Sequence, residues 1–173
     1  WEDSGGRDPH GVLAETKPHL SFTSEEEACG ADYLKSVGVA NLESFICFHS
    51  RDPQYRKSIL PDRDASHNDY RDASILDYLP AVETLTNQGY HALRMGAVVE
   101  RPLSATNPRI IDYAANGRTE FLDIFLAAKC RFFLGCPTGI AMVPMIFRRP
   151  TTTTPAATVL PMVTQKFASG RVN

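Results

Sequence analysis

The chain has 173 residues, of which 43% are hydrophobic and 22% are charged, and its formal net charge is -2. This composition is that of a globular domain with a sizeable core, and the near balance of charge argues against a protein whose whole surface binds nucleic acid. No apolar run approaches the roughly 20 residues that a membrane-spanning helix requires.

The four cysteines, Cys29, Cys47, Cys130 and Cys136, show neither a metal-binding nor a disulfide pattern. None belongs to a C-x-x-C pair, and no histidine lies at ligand spacing from Cys130 or Cys136. Cys47 and Cys130 lie in apolar runs, where a reduced and buried thiol is the usual state. We therefore expect no metal site and a reducing, cytoplasmic setting.

The first elements are an irregular segment, a helix and a strand. Residues 1–20 are rich in Gly, Pro, Asp and His without periodicity and are predicted to be a linker or irregular lead-in. The chain begins with Trp1 rather than Met, which indicates a piece of a longer protein. "SEEEACGADYLKSVGV" predicts a helix capped by Ser24 and ended by Gly38. The apolar run over residues 43–50 predicts a buried strand.

The middle of the chain alternates between polar and periodic segments. Residues 51–70 are polar, contain two prolines and several aspartates, and are predicted to form a long loop. Apolar residues at helical spacing predict a helix within residues 73–89. Pro80 is expected in its first turn or at a kink, and Gly89 at its end. Residues 90–96 are the next predicted strand.

The last predicted elements continue the alternation of strands and helices. "RIIDYA" (109–114) is a possible short strand, and Thr119 is predicted to cap a helix over residues 120–129. A strand over residues 131–135 and a helix over residues 139–147 follow. This order predicts an α/β fold: a Rossmann-like parallel sheet with helices on both faces.

The predicted domain covers residues 21–150. The remaining tail, residues 151–173, is rich in Thr and broken by two prolines. A strand can start within its first four residues, but the rest is predicted to be irregular, with a truncated end as one interpretation.

Polar residues follow each predicted strand. In sheets of this class a ligand binds at the carboxyl ends of the strands, so these residues are candidates for one common site. They are His49, Ser50, Arg51 and Asp52 after the first strand, Arg94 and Gly96 at the second, Asp112 and Tyr113 near the third, and the turn over residues 135–139 after the fourth.

The turn "GCPTG" has two interpretations. It matches neither the P-loop nor the G-x-G-x-x-G pattern, so a plain strand-to-helix turn is one interpretation. The other is a phosphate site, in which the Thr138 hydroxyl and the backbone amides of Gly139 and Ile140 hold the anion at a helix N-terminus.

The arginines also leave alternatives open. Arg51 directly follows a buried strand, where its guanidinium either grips phosphate oxygens or pairs with Asp52 or Asp72. Arg94 interrupts an apolar strand, and its partner is either Asp112 or a bound anion.

Two further segments are ambiguous. Tyr70 and Arg71 precede a helix start, in a segment that either binds a ligand or caps the helix through Asp72 or Ser74. His49 fits a supporting role better than that of a catalytic base. No Ser-His-Asp set, carboxylate pair or D-x-D motif identifies a catalytic residue.

Four ordered segments carry a family likeness. They are "FHSRDPQY", "YRDASILDYLPAVETLTNQGYHALRMG", "IIDYA" and "FLDIFLAAKCRFFLGCPTGIAMVP". Together they resemble a family of bacterial glycosyltransferases from surface-polysaccharide gene neighbourhoods, over roughly residues 20–150. The strand–turn–helix element is more distantly similar to the nucleotide-sugar half of heptosyltransferase-like enzymes, whose "G-x-D-(S/T)-G" turn meets the donor's diphosphate. Thr138 and Gly139 match that turn, whereas Pro137 stands where an acidic residue is common.

The resemblance implies the C-terminal half of a GT-B architecture, the half that binds the nucleotide sugar. By this likeness Arg51, Thr138 and Gly139 face the diphosphate, and Arg94, Asp112 and Tyr113 lie near the base or ribose. The complete set of expected donor-binding residues is Arg51, Asp52, Tyr70, Arg71, Arg94, Asp112, Tyr113, Thr138, Gly139 and Ile140.

The implied activity is transfer of a sugar from a nucleotide diphosphate to a glycan or lipid-linked acceptor. The resemblance implies no metal, because cationic side chains and a helix N-terminus neutralise the leaving diphosphate. The resemblance places an acceptor domain upstream, so this chain is expected to be inactive alone. A cytoplasmic location, peripheral to the inner face of the membrane, is compatible with the implied activity. The alternative is a non-catalytic Rossmann-like module that binds a phosphorylated ligand or a protein partner. Under both hypotheses we expect no nucleic-acid partner and no transmembrane segment.

Overall fold

The computed structural model describes residues 12–59, 61, 69 and 72–154. The helices are α1 (Val12–Glu15), α2 (Ser24–Ser36), α3 (Pro53–Ile59), α4 (Leu79–Asn87), α5 (Glu120–Lys129) and α6 (Met142–Ile146). The strands are β1 (Phe45–His49), β2 (His91–Arg94), β3 (Ile110–Ile111), β4 (Phe133–Gly135) and β5 (Thr151–Thr153). Single 3₁₀ turns precede β1 and α4, at Leu42–Ser44 and Ile75–Tyr78.

The strands form one parallel sheet in the order β3-β2-β1-β4-β5. The chain moves outward from β1 through β2 to β3, and then crosses to the other side of β1 for β4 and β5. The direction of winding therefore reverses between β1 and β4, and the crevice at such a reversal is where parallel sheets bind ligands. The predicted α/β, Rossmann-like fold class is confirmed.

Each face of the sheet is covered by helices. On one face, Phe45 and Cys47 of β1 pack in a core with α2 and α5, which contribute Leu34 and Phe125. On the other face, the alternate β1 residues join a core that includes Val82 of α4. Because side chains alternate along a strand, β1 is apolar on both sides and is buried in the centre of the sheet.

Several predicted boundaries are confirmed, and one cap is corrected. Thr119 caps α5 by accepting a hydrogen bond from the Leu122 N–H at 3.1 Å. Pro80 lies in the first turn of α4, and Gly89 follows that helix with a φ of 102°. The cap of α2 is Thr23 rather than Ser24, because Thr23 and Glu26 exchange two hydrogen bonds in a capping box.

The predicted loop over residues 51–70 is wrong at its start, where α3 forms. The Asp52 carboxylate accepts a hydrogen bond from the Gln54 N–H at 2.9 Å, as a helix-capping side chain does. Pro53 then occupies the first helical position, where its missing N–H costs no hydrogen bond. The rest of that loop lies largely outside the described residues.

Both ends of the described chain contain a short element. Val12–Glu15 forms one helical turn within the predicted irregular lead-in. Thr151–Thr153 pairs in parallel with β4, in the segment where the sequence allowed a strand to start. The remainder of the predicted irregular tail, residues 155–173, lies outside the described part of the chain. Within that part, no helix is both long and apolar enough to cross a membrane.

Replacing Gly30 with alanine is expected to lower the free energy of unfolding by about 1–3 kcal/mol, the usual cost of overpacking. A Cβ at this buried position would lie 2.1 Å from Cε1 of Phe125, whose ring is fully buried and has little room to move. The steric cost exceeds the helix-propensity gain of about 1 kcal/mol that alanine normally brings.

Urea denaturation measures this effect. The matched control is Ala31→Ser, at an exposed position of the same helix, which is expected to change stability by about 0.5 kcal/mol or less. A Gly30→Ala protein as stable as the wild type would contradict the tight α2–α5 contact.

Candidate functional site

A cleft of about 570 Å³ opens at the carboxyl edge of the sheet, beside the reversal between β1 and β4. It is bounded by the segments that follow β1, β2 and β4, by one side of α3, and by the start of α5. Its lining residues are His49, Ser50, Arg51, Asp52, Tyr55, Arg56, Ile59, Arg94, Met95, Gly96, Ala97, Val98, Val99, Arg118, Asp123, Pro137, Thr138, Gly139 and Ile140.

Gly135 lets β1 and β4 come close together at the base of this cleft. A Cβ there would lie 2.9 Å from the backbone carbonyl oxygen of His49 and 3.1 Å from the Phe133 ring. Any larger residue would therefore push the strands apart where their carboxyl ends meet. The glycine of the "GCPTG" turn thus has a packing role independent of ligand binding.

Arg51 combines a salt bridge with unused donor capacity. Its Nε lies 3.3 Å from Oδ1 of Asp72, so the predicted ion pair with that residue is present. Its Nη1 is buried and has no hydrogen-bond partner in the described part of the protein. Because a guanidinium carries five N–H donors, this pairing leaves Arg51 able to bind an anion.

Arg56 and Arg118 repeat this arrangement and were not predicted as site residues. Arg56, on α3, pairs with Asp69, and Arg118 donates from Nη2 to Asp123 at 2.7 Å. One nitrogen of each, Nη1 of Arg56 and Nε of Arg118, is buried without a partner among the described residues. A basic residue on a short helix and another just before a helix cap were weak signals in the sequence.

Arg94 is 3% exposed and is held by the structural partner that the sequence suggested. Its Nη1 lies 3.3 Å from Oδ2 of Asp112 and donates to the Arg101 carbonyl at 2.8 Å. The same Asp112 oxygen accepts a hydrogen bond from the Leu103 N–H at 2.6 Å. Arg94 lines the cleft and Asp112 does not, so Asp112 supports Arg94 from behind.

Tyr113 also lies behind the cleft. It is fully buried, and its hydroxyl lies 2.9 Å from both the Thr119 carbonyl oxygen and Oδ1 of Asp123. Burial raises the pKa of Tyr113 well above its ordinary value, so the hydroxyl keeps its proton. Its role in this arrangement is to position Asp123 and the start of α5.

His49 is held in one tautomer. Its Nδ1 lies 3.0 Å from the Met95 carbonyl oxygen, which can only accept, so Nδ1 carries the ring proton. Burial lowers the pKa of His49; the Met95 contact opposes that shift and the Arg94 charge reinforces it. The ring is therefore neutral near pH 7.

Acidification is expected to destabilise the wild type more than a His49→Asn variant. The lowered pKa means that the unfolded chain binds a proton at higher pH than the folded protein does. The buried neutral ring contributes fully to stability at pH values above 6.5, the ordinary pKa of histidine. This contribution is lost as the pH falls from 6.5 through the lowered pKa of the folded protein. His91, whose pKa burial also lowers, titrates in both proteins and cancels in the comparison.

Urea denaturation at about pH 8 and about pH 5 checks this expectation, since histidine titrates within that range. A stability difference between wild type and His49→Asn that does not change with pH would contradict it.

The turn after β4 forms one wall of the cleft. The N–H groups of Ala141, Met142 and Val143 donate to the carbonyls three residues earlier, whereas those of Gly139 and Ile140 donate no hydrogen bond within the described residues. The predicted helix over residues 139–147 is wrong at its start, because α6 begins only at Met142. The free amides therefore lie in a turn rather than at the first turn of a long helix.

The cleft joins a cationic region to an apolar one. Beside the arginines, Ala97, Val98 and Val99 of the segment after β2 and Ile59 of α3 line it. Tyr55 contributes an aromatic ring that is 48% exposed. Such a combination can hold a ligand with both an anionic group and a flat or apolar group.

The predicted donor-binding residues fall into three groups. Six line the cleft, and two, Asp112 and Tyr113, lie behind it. Tyr70 and Arg71 lie outside the described residues. Among the residues that are described, no cluster of three or more His, Cys, Asp or Glu side chains could hold a metal ion. The six that line the cleft are Arg51, Asp52, Arg94, Thr138, Gly139 and Ile140.

Comparisons with known proteins provide no relative for this chain. No family model matches it, and no curated protein or solved structure matches it. The geometry of the cleft and the sequence resemblance described above are therefore the basis for a functional proposal.

Proposed function

We propose that this chain is the donor-binding part of a glycosyltransferase. In this proposal a nucleotide diphosphate sugar occupies the cleft, with its diphosphate between Arg51 and the turn over residues 138–140. One observation carries the phosphate assignment: four arginines line a single cleft at the sheet reversal, and three of them keep a buried nitrogen without a partner in the described chain. The sequence resemblance supports the assignment to sugar transfer.

The ion pairs of the arginines are compatible with this role. Each guanidinium pairs with at least one aspartate, which fixes its position and uses only part of its five donors. Phosphate oxygens are acceptors that guanidinium forks bind strongly. Hydrogen bonds to a charged group are each worth about 1.5–3 kcal/mol, so the guanidiniums that line the cleft can together hold an anion firmly.

The rest of a nucleotide sugar also fits the cleft. Its volume of about 570 Å³ lies within the roughly 300–1,000 Å³ usual for small-molecule sites. The apolar wall at Val98 and Val99 suits the base or the sugar ring, while the arginines suit the diphosphate. The open amides of Gly139 and Ile140 add two donors in the turn after β4.

The same groups would act on the transition state. When the bond between the sugar and the diphosphate breaks, negative charge accumulates on the leaving phosphate. Guanidiniums and amides that are already in position stabilise that charge, which in comparable sites is worth several kcal/mol. The acceptor hydroxyl belongs to a glycan or lipid-linked molecule, and the group that takes its proton is expected on the upstream domain that the resemblance implies.

A thermal-shift panel tests the proposal. UDP, GDP, dTDP and CMP are compared, each alone and as a sugar conjugate, with inorganic phosphate as the control for unspecific anion binding. We expect selective stabilisation by one nucleoside diphosphate and its conjugates, because ligand binding to the folded state raises the unfolding temperature. No stabilisation by any nucleotide would favour a non-catalytic module that binds a protein partner.

A further inference from the structure

His49 presents an unprotonated ring nitrogen to the cleft. The hydrogen bond from Nδ1 to the Met95 carbonyl leaves Nε2 with its lone pair. Nε2 makes no hydrogen bond with the described residues, and it is not among the buried atoms that lack a partner. Because His49 lines the cleft, we take this nitrogen to be an acceptor within reach of a bound ligand.

The carboxylates that line the cleft are already engaged. The two oxygens of Asp52 accept from the N–H groups of Gln54 and Glu100, each at 2.9 Å. The two oxygens of Asp123 interact with the Tyr113 hydroxyl and with Arg118. Unlike these carboxylates, the His49 ring keeps an acceptor that no described residue occupies, in a site otherwise rich in donors.

The chemistry of this nitrogen restricts what it can face. An ionised phosphate oxygen carries lone pairs and no proton, so it is repelled by the Nε2 lone pair. A hydroxyl group can donate to it, and nucleotide sugars carry hydroxyls on both the ribose and the sugar. Base N–H groups can donate as well, but the hydroxyls of the ribose and sugar are more numerous, and we therefore assign the hydroxylated part of the ligand to the position next to His49.

We infer that Nε2 of His49 accepts a hydrogen bond from a ribose or sugar hydroxyl of the bound ligand and so selects for that hydroxyl. This inference rests on the proposed function, because it needs a ligand whose phosphates lie beside Arg51. A site built to bind a hydroxyl discriminates against ligands that lack it.

Burial, with the help of the Arg94 charge, keeps the His49 ring in the required neutral state. Arg94 of β2 disfavours protonation, whereas Asp52 after β1 and Asp123 of α5 favour it. Burial is the largest influence and lowers the pKa of His49. The neutral ring, with its free acceptor, is therefore the form present near pH 7.

Two variants of His49 test the roles of its two ring nitrogens one at a time. In His49→Asn the side-chain amide can replace the Nδ1–H donor to Met95, but no atom reaches the position of Nε2. In His49→Gln the amide oxygen can reach the Nε2 position, so an acceptor is kept. Calorimetry with inorganic diphosphate, which has no hydroxyl, and with the UDP, GDP and dTDP sugar conjugates compares both variants with the wild type.

We expect His49→Asn to weaken binding of the nucleotide sugar by about threefold to tenfold, the value of one hydrogen bond, while His49→Gln recovers part of it. Inorganic diphosphate should bind all three proteins equally. If His49→Asn weakens binding of both inorganic diphosphate and the nucleotide sugar, His49 contacts phosphate and the inference is overturned. Unchanged affinity of His49→Asn for both probes would also overturn it. No binding of any probe to the wild type would instead overturn the proposed function itself, and this inference with it.

A nitrogen-15 NMR spectrum of the imidazoles gives an independent readout without ligand. The inference requires that His49 carry its ring proton on Nδ1 at neutral pH. The signal of His91 in the same spectrum serves as an internal reference. A spectrum in which Nε2 is protonated would overturn the inference, whatever the calorimetry shows.

Discussion

Replacing Asp112 with alanine is expected to lower the free energy of unfolding by about 3–5 kcal/mol. The substitution leaves Arg94, which is 3% exposed, as a buried charge without its carboxylate partner. It also removes the acceptor of the Leu103 N–H. Since domains of this size are stable by only about 5–15 kcal/mol, urea denaturation followed by circular dichroism should show a large shift.

A double variant separates the charge effect from general disruption. Arg94→Leu combined with Asp112→Leu removes both charges, and apolar replacement of a buried pair is often neutral or stabilising. We therefore expect the double variant to be more stable than Asp112→Ala alone. Asp77→Ala, at an exposed position, is the matched control and should cost about 0.5 kcal/mol or less. A cost below about 1 kcal/mol for Asp112→Ala would mean that Arg94 is solvated through the cleft.

Replacing Arg51 with alanine is expected to weaken binding of the preferred nucleoside diphosphate by about 1.5–3 kcal/mol, or roughly tenfold to 150-fold. The variant removes a guanidinium that lines the cleft and has a buried nitrogen without a partner in the described residues. Asp72 keeps Arg56 as a nearby cation at 4.0 Å, so we expect the fold to tolerate the change. Calorimetry measures the affinity, and a thermal melt confirms folding.

Arg131 supplies the matched control for Arg51. Its side chain is 57% exposed, it pairs with Glu43, and it precedes β4 rather than following it. Arg131→Ala should leave the affinity unchanged. Equal affinity of the Arg51→Ala and wild-type proteins would contradict the placement of the diphosphate beside Arg51.

Much of the fold could be predicted because its elements are signalled locally. The apolar run of β1, the Thr119 cap of α5 and the Gly89 stop of α4 each depend on residues adjacent in the sequence. The strand Thr151–Thr153 was harder to predict because its pairing with β4 depends on a neighbour that is not local. The helix α3 was missed although Asp52 and Pro53 form a helix-start signal, because the segment is otherwise polar.

Residues of the candidate site were predictable where they follow from the rule that ligands bind at the carboxyl ends of parallel strands. Arg51, Arg94 and Thr138 follow or end strands, and all three line the cleft. Asp112 and Tyr113 follow the edge strand β3 and pair inward. The Arg94–Asp112 pair was one of two predicted alternatives, whereas no sequence pattern revealed the contact between Tyr113 and Asp123. Arg56, within α3, and Arg118, just before the cap of α5, line the cleft from positions whose direction only the tertiary structure defines.

Chemical-shift mapping with the nucleoside diphosphate that stabilises the protein tests the central claim most directly. If the diphosphate lies between Arg51 and the turn after β4, the largest perturbations fall on the Gly139 and Ile140 amides and on the Arg51 side chain. Perturbations confined to another surface, such as the exposed side of α2, would contradict this claim.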